Sequence, residues 1–418
     1  MKQTYVVHYS EVALKGRNRP EFVRALRRNL VRALNGLGPV VELREGRFLV
    51  TAEGAEEAVS ERLGRTFGVA WYSSVTAVEP EYAGILAAVL DAAKKASGKT
   101  FKVEPRRSDK GFGLSSHDLA VKLGAAVESE TGLKVDLSAP DVSIRVDVTK
   151  TKALVYSNKT RGPGGLPVGT AGRVLHLFSG GIDSPVAAWL LMKRGCVPVY
   201  LHFYLAPTPS SAVESKVTRL VRVLSDYCGK STMVLAPFAE YQIAAAGAPM
   251  ELEPSLFRRF MRMTAEALAP RFGAVALSTG DSLSQAASQT LWNLAAFDRG
   301  SGLPILRPLL SYDKEEVIAL ARRISTYEPS LEEYKDCCAI VTRHPRTRVK
   351  GGLIDEYVTR LRFQDLVLKT VENATLYTYN PVGGVAKVSR LPNVPLEGGP
   401  RSGPRQIYEQ GGGGEAHD

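Results

Sequence analysis

Cysteine is scarce in this chain of 418 residues: there are four, Cys196, Cys228, Cys337 and Cys338. None stands in C-x-x-C spacing, which argues against both a zinc ribbon and a secreted disulfide framework. Long apolar runs are missing too; none reaches the ~18 residues that a membrane span requires. The opening stretch Met1-Lys-Gln-Thr-Tyr-Val-Val-His-Tyr9 reads as a strand and lacks the pattern of a signal peptide. A soluble, cytoplasmic protein with no membrane partner is the expectation. No internal repeat is evident. Acidic residues are outnumbered, 43 against 54 basic ones, giving a net charge of +11 and favouring a polyanionic partner. The length suggests two to four domains, and 44% hydrophobic residues suffice for a sizeable core.

One stretch organises the rest. Val174-Leu-His-Leu-Phe178 reads as a buried strand running into Ser179-Gly180-Gly181-Ile182-Asp183-Ser184-Pro185. The glycines permit a tight turn, Ser184 suits a helix cap and Pro185 a first helical turn. Strand, glycine turn and helix start together make an anion cradle, because unpaired N–H groups and the helix dipole point into it. No Walker-type lysine follows, so this is a different kind of phosphate loop. The segment resembles the SGGxDS pyrophosphate loop of the ATP pyrophosphatases, which form AMP and pyrophosphate while adenylating a substrate.

Upstream, Asn18 and Glu21 have capping-box spacing before a helix that aligns Phe22, Leu26, Leu30 and Leu34 on one face. Arg24, Arg28 and Arg32 line another face, beside a basic loop holding Lys15 and Arg17. Such a stripe also suits a plain solvated face. Yet residues 1–50 hold ten Lys/Arg and four Asp/Glu, over half the net charge, which points to phosphate contacts. Arg106-Arg107-Ser108-Asp109-Lys110 reads as a second basic loop, and Ser115 with Asp118 caps the next helix. This half resembles a ferredoxin-like domain followed by THUMP, an RNA-binding module of tRNA-modifying enzymes. Ser10-Glu-Val-Ala-Leu-Lys-Gly16 and Phe101–Lys110 carry that likeness, which makes Lys15, Arg17, Arg24, Arg28, Arg106, Arg107 and Lys110 the candidate RNA contacts.

Five glycines and two prolines in residues 160–172 mark a linker. Strands then alternate with helices, implying an α/β unit built on a doubly wound parallel sheet that binds its ligand beyond the carboxyl ends of the strands. Ser278-Thr-Gly-Asp-Ser-Leu-Ser-Gln-Ala-Ala-Ser-Gln-Thr290 and Pro304-Ile-Leu-Arg-Pro-Leu-Leu-Ser-Tyr-Asp-Lys-Glu-Glu316 resemble runs of the tRNA 4-thiouridine synthetases, with Asp281 and Ser284 in place of the commoner glutamate and glycine. That family's pattern implies residues 1–58 as ferredoxin-like, 59–160 as THUMP, 161–172 as linker, 173–372 as the ATP pyrophosphatase unit and 373–418 as a flexible tail. It also implies ATP contacts from Leu177, Phe178, Ser179, Gly180, Gly181, Ile182, Asp183, Ser184, His202, Phe203, Arg258, Gly280 and Gln289. Magnesium accompanies the phosphates, and no protein cluster reads as a metal site.

Cys338, in Lys335-Asp-Cys-Cys-Ala339, aligns with the family's active-site cysteine, and Cys337 stands ready to assist it. Cys196 and Cys228 lie among apolar residues and read as core. The resemblance implies that ATP adenylates O4 of a tRNA uridine, uridine 8 in the family, and that sulfur from Cys338 displaces AMP. Residues 373–418 read as too short for the rhodanese-like domain of many bacterial members, which leaves the donor open between a desulfurase persulfide, free sulfide and another carrier. Vicinal cysteines lack familiar iron–sulfur spacing. Two other readings stay open: sulfur transfer to a thiamine-pathway carrier protein, and a tRNA-binding protein with a relic nucleotide fold. Family members commonly form homodimers.

Overall fold

The computed structural model describes residues 2–9, 11–108, 111–205, 216–333 and 345–380, and the backbone of 384–390. Two sheets organise them. The first takes β1 (Lys2–His8), β2 (Val40–Arg44), β3 (Arg47–Glu53), β4 (Trp71–Val78), β5 (Thr100–Arg107), β6 (Lys134–Val135), β7 (Val142–Val148), β8 (Ala153–Tyr156) and β9 (Thr160–Arg161). Its order is β2-β3-β1-β4-β8-β7-β5-β6, with β9 paired to β4. Helices α1 (Arg19–Ala33) and α2 (Glu56–Gly64) serve one half, α3 (Tyr82–Lys94) and α4 (Ser116–Thr131) the other.

Strand β4 belongs to both halves. Its residues 71–75 pair with β1, and 76–78 pair with β8. Val59 and Leu63 of α2 share a core with Tyr5, Leu26 and Phe48, so the seam between the halves lies past residue 58, at β4. The amphipathic pattern of α1 forms as expected, with Leu26 and Leu30 buried and Arg24 and Arg28 exposed. Asn18, however, makes no side-chain cap; Pro20 in the first turn starts the helix instead. The Ser115–Asp118 capping box is present. Arg106 and Arg107 end strand β5, pairing with Asp147 and Val148, where a loop was expected.

The second sheet holds β10 (Arg173–Leu177), β11 (Val197–Tyr204), β12 (Ser231–Pro237), β13 (Ala274–Ser278), β14 (Ile305–Leu306), β15 (Thr375–Asn380) and β16 (Gly384–Arg390), in the order β14-β13-β10-β11-β12-β15-β16. The first five in that order are parallel. Strands β15 and β16 add antiparallel, so residues 375–380 and 384–390 are part of the sheet, which for those residues corrects the expected flexible tail; the remainder of the expected tail lies outside the described residues. The cause is the alternating Thr-Leu-Tyr-Thr-Tyr, which buries Tyr377 and Tyr379. Helices α5 (Asp183–Lys193), α6 (Lys216–Cys228), α7 (Ala239–Ala245), α8 (Glu253–Phe272), α9 (Leu291–Asp298), α10 (Lys314–Arg323), α11 (Tyr327–Leu331), α12 (Gly351–Arg360) and α13 (Phe363–Glu372) complete the unit. Two cores, one around Phe257 and Phe260 and the other around Trp189 and Tyr200, flank the sheet. Cys196 and Cys228 are buried, as expected.

The linker is packed tightly rather than left to swing. Leu166 and Val168 are buried. A Cβ on Gly165, at φ +71°, would stand 2.2 Å from the Lys193 carbonyl, so only glycine fits. Phe67 tilts against Trp189 at 5.3 Å, and Arg194 grips Glu11 through two bonds of 2.8 and 2.7 Å. The basic first unit is thereby docked on the second. Among the described residues, no helix is long and apolar enough to cross a membrane.

Candidate active site

A cavity of about 340 Å³ opens beyond the carboxyl ends of β10, β11 and β13. Ten of the expected nucleotide residues line it: Leu177, Phe178, Ser179, Asp183, Ser184, His202, Phe203, Arg258, Gly280 and Gln289. Gly180, Gly181 and Ile182 form the crown of the loop and lie outside its lining. Cys337, Cys338 and Lys110 fall outside the described residues.

Serine geometry sets the loop. Ser184 Oγ accepts from the Ser179 amide at 3.1 Å and donates to the Ser179 carbonyl at 2.8 Å. It thus clasps the turn instead of capping the helix. Helix α5 starts at Asp183 with no side-chain cap, so its opening turn keeps its dipole and amides for an anion. Gly280 permits the closest approach: a Cβ there would stand 2.9 Å from the Ser184 amide nitrogen and 3.0 Å from the Asp183 carbonyl carbon. The turn after β13 therefore presses on the backbone of the loop.

Charge is arranged in two layers. At the loop, Asp183 accepts from Lys314 Nζ at 2.7 Å and from Gln285 Nε2 at 2.8 Å. Lys314 brings to the loop a cation that Walker loops carry within their own sequence. Deeper, Asp281 accepts from Arg258 through both oxygens, at 2.9 and 2.7 Å, from Thr279 at 2.7 Å and from Arg307 at 3.3 Å. Burial pushes the Asp281 carboxyl up, and Arg258, Thr279 and Arg307 more than reverse this, leaving it at about 2. Arg258 was expected to reach a phosphate; in the fold its guanidinium is paired with Asp281 and lies 4.7 Å from the Phe297 ring centroid.

His202 is buried, and its Nδ1 lies 2.9 Å from the Phe178 carbonyl, tying β11 to the loop. A second histidine was missed. His176 Nε2 lies 2.9 Å from the Ser184 carbonyl, which can only accept, so Nε2 carries the proton and Nδ1 accepts from Ser278 at 2.5 Å. Burial pushes this imidazole down to about 4, so it stays neutral and fastens α5 to β10 and β13. Glu253, on the cavity wall, is pushed up to about 7 by burial. Apolar walls come from Leu201, Phe257, Met261 and Phe297. A cavity with a phosphate loop at one end and aromatic walls at the other suits a purine nucleotide.

The expected RNA residues lie apart from this cavity. Arg17, Arg24 and Arg28 are exposed, and Lys15 Nζ sits 5.0 Å over the Phe22 ring. Arg106 is exposed, and Arg107 donates to the Phe112 carbonyl at 2.9 Å.

Comparisons with known proteins agree on one family. The model described as thiamine biosynthesis protein (ThiI) matches residues 169–363, the ThiI ferredoxin-like domain 4–73 and the THUMP domain 82–158. A probable tRNA sulfurtransferase of Moorella thermoacetica is 41% identical over 390 residues, covering 92% of this chain and 100% of that one. Its counterpart in Thermus thermophilus is 39% identical over 376 residues, covering 89% and 92%. The crystal structure of a 4-thiouridine synthetase–RNA complex with bound ATP superposes with a TM-score of 0.84 at 32% identity, covering 90% of this chain and all of that one.

Proposed function

Since the chain belongs to the ThiI family of tRNA sulfurtransferases, we propose that its cavity binds ATP, adenylates O4 of a tRNA uridine and thereby prepares C4 for sulfur. The observation that carries this reading is the convergence of the Ser179–Ser184 loop, the Asp183–Lys314 pair and aromatic walls on one cavity. Adenine occupies the apolar part, near Leu177, Phe203 and Phe257. The triphosphate lies over the start of α5, where backbone amides and Lys314 balance its charge. His202 contributes through the Phe178 carbonyl it holds in place, and Arg258 through the wall it forms with Asp281.

A magnesium ion takes oxygen donors, commonly one or two carboxylates plus phosphates and water. Asp183 supplies such a carboxylate beside the loop, so the residues present fit an ion that arrives with the nucleotide. Among the described residues no cluster of three His, Cys, Asp or Glu would hold one unaided. When bound, the ion offsets the charge of the departing pyrophosphate.

Chemistry orders the steps. A carbonyl oxygen leaves poorly, so O4 first attacks the α-phosphate and pyrophosphate departs. The terminal sulfur of a Cys338 persulfide then attacks C4 and expels AMP. Cys337 resolves the resulting disulfide, leaving a bond for an external thiol to reduce. Once that disulfide is reduced, a cysteine desulfurase persulfide hands its terminal sulfur to the Cys338 thiol; alternatively, free sulfide opens the Cys337–Cys338 disulfide itself, giving the Cys338 persulfide and the Cys337 thiol. Exposed arginines of α1 and β5 hold the tRNA backbone, and uridine 8 is the target. A homodimer would allow one subunit to hold the RNA that its partner modifies.

The test is ATP cleavage. Unmodified tRNA should stimulate release of AMP and pyrophosphate, and Asp183→Ala should abolish that release while tRNA affinity stays nearly unchanged. Cleavage that ignores tRNA would contradict the reading.

A further inference from the structure

Just past the segment that lines the cavity, the chain carries an exposed aromatic side chain that adenylation does not use. Residues 286–289 line the cavity, and the chain then enters α9, whose first residues Leu291 and Trp292 are 70% and 56% exposed. One face of the Trp292 indole is covered by Arg348, whose guanidinium carbon lies 4.1 Å from the ring centroid. Arg348 is itself exposed, as is Lys350.

The backbone that carries this pair is fastened at several points. Asn293, which is buried, donates to the carbonyls of Ala287 at 2.7 Å and Arg346 at 2.8 Å, and accepts from the Val349 amide at 3.0 Å. Thr290 Oγ1 donates to the Thr347 carbonyl at 2.6 Å. One network therefore ties the backbone segments that carry Trp292 and Arg348 to each other and to the cavity lining at Ala287.

We propose that Trp292, backed by Arg348, is a stacking platform for a nucleobase of the RNA substrate beside the uridine under modification. The proposal rests on the tRNA reading above. For O4 to enter the cavity, the uridine must leave its stack, which uncovers the face of its neighbour. A flat apolar ring on the helix that follows the cavity lining replaces that lost contact, and Arg348 and Lys350 stand ready for the adjoining phosphates. An RNA strand needs both chemistries side by side, an apolar plane and positive charge.

The experiment compares wild type, Trp292→Leu and Trp292→Phe with unmodified tRNA, Mg-ATP and sulfide, alongside titration of indole fluorescence by tRNA. Stacking predicts that Trp292→Leu raises KM for tRNA about tenfold, leaves KM for ATP and the melting temperature unchanged, and is largely rescued by Trp292→Phe. Wild-type fluorescence should be quenched by tRNA, and that quench should be missing in Trp292→Phe. A tRNA abasic at both neighbours of the target should bind wild type and Trp292→Leu equally.

An active wild type whose KM for tRNA is the same in Trp292→Leu, with no Trp292 quench, would overturn the platform and leave the function standing. A Trp292→Leu defect seen only with a sulfur-donor protein, and absent with sulfide, would assign the surface to that protein and also overturn it. A wild type that forms no thiolated nucleoside, yet shows the Trp292 quench with tRNA, would uphold the platform while the function fails.

Discussion

Replacing Asp281 by asparagine keeps the shape of a buried side chain and removes its charge. That charge faces Arg258 through two hydrogen bonds and Arg307 through a third, with only 4% of the side chain exposed. A carboxyl held at about 2 in the fold, against about 3.9 in an unfolded chain, contributes roughly 2–3 kcal/mol at neutral pH. The folded value is the lower one, so this contribution is complete above about pH 4 and is lost as the pH falls through 2. The asparagine variant suffers more, because Arg258 is left without its carboxylate. Breaking a buried pair from one side costs about 3–5 kcal/mol. Urea unfolding of wild type and Asp281→Asn at pH 7 should show a gap in that range, narrowing as the pH is lowered to about 3, where roughly half of the wild type's contribution remains. ATP affinity should fall in the same variant, since Arg258 lines the cavity. A gap below about 1 kcal/mol at pH 7, with no narrowing, would refute the ion cluster as the anchor of this wall.

Gly280→Ala should drive a methyl group into the backbone of Asp183 and Ser184, costing about 1–3 kcal/mol and weakening ATP binding measured by calorimetry; unchanged affinity would contradict the close approach. Glu253 is pushed up to about 7, so folding is penalised increasingly as the pH rises from about 4.3 to about 7, by roughly 3–4 kcal/mol in full. Glu253→Gln should therefore raise the melting temperature at pH 8 and leave it unchanged at pH 4. Equal shifts at both values would show that the carboxyl is solvated. Arg106→Ala combined with Arg107→Ala should lower the salt slope of tRNA binding by about one to two. An unchanged slope would remove these residues from the RNA surface.

Local pattern made much of this legible. Val174–Phe178 is apolar enough to read as a strand, and two glycines with two serines define the loop that follows. The positions that escaped are those whose partners lie far away in the chain. His176 looks like one polar residue in an apolar strand until the fold brings Ser278 and the Ser184 carbonyl to its two nitrogens. Lys314 sits within a recognised run, yet its place beside Asp183 spans 131 residues of chain. Arg258 was expected to reach a phosphate, and Asp281 stood out only as an aspartate in place of the family's commoner glutamate, so the bidentate pair between them was not foreseen. Strand β15 was missed because its threonines and tyrosines resemble a polar tail until paired to β12, and β16 because it joins the sheet only through β15. Arg106 and Arg107 show the converse error: charge suggested a loop where pairing with β7 extends a strand.

The most direct test of the central claim is incubation with unmodified tRNA, Mg-ATP and a sulfur donor, sulfide or a cysteine desulfurase, followed by mass analysis of the nucleosides. The account predicts 4-thiouridine from the wild type and none from Cys338→Ala, with tRNA affinity retained in the variant. No 4-thiouridine from the wild type with either donor, or undiminished product from Cys338→Ala, would contradict it.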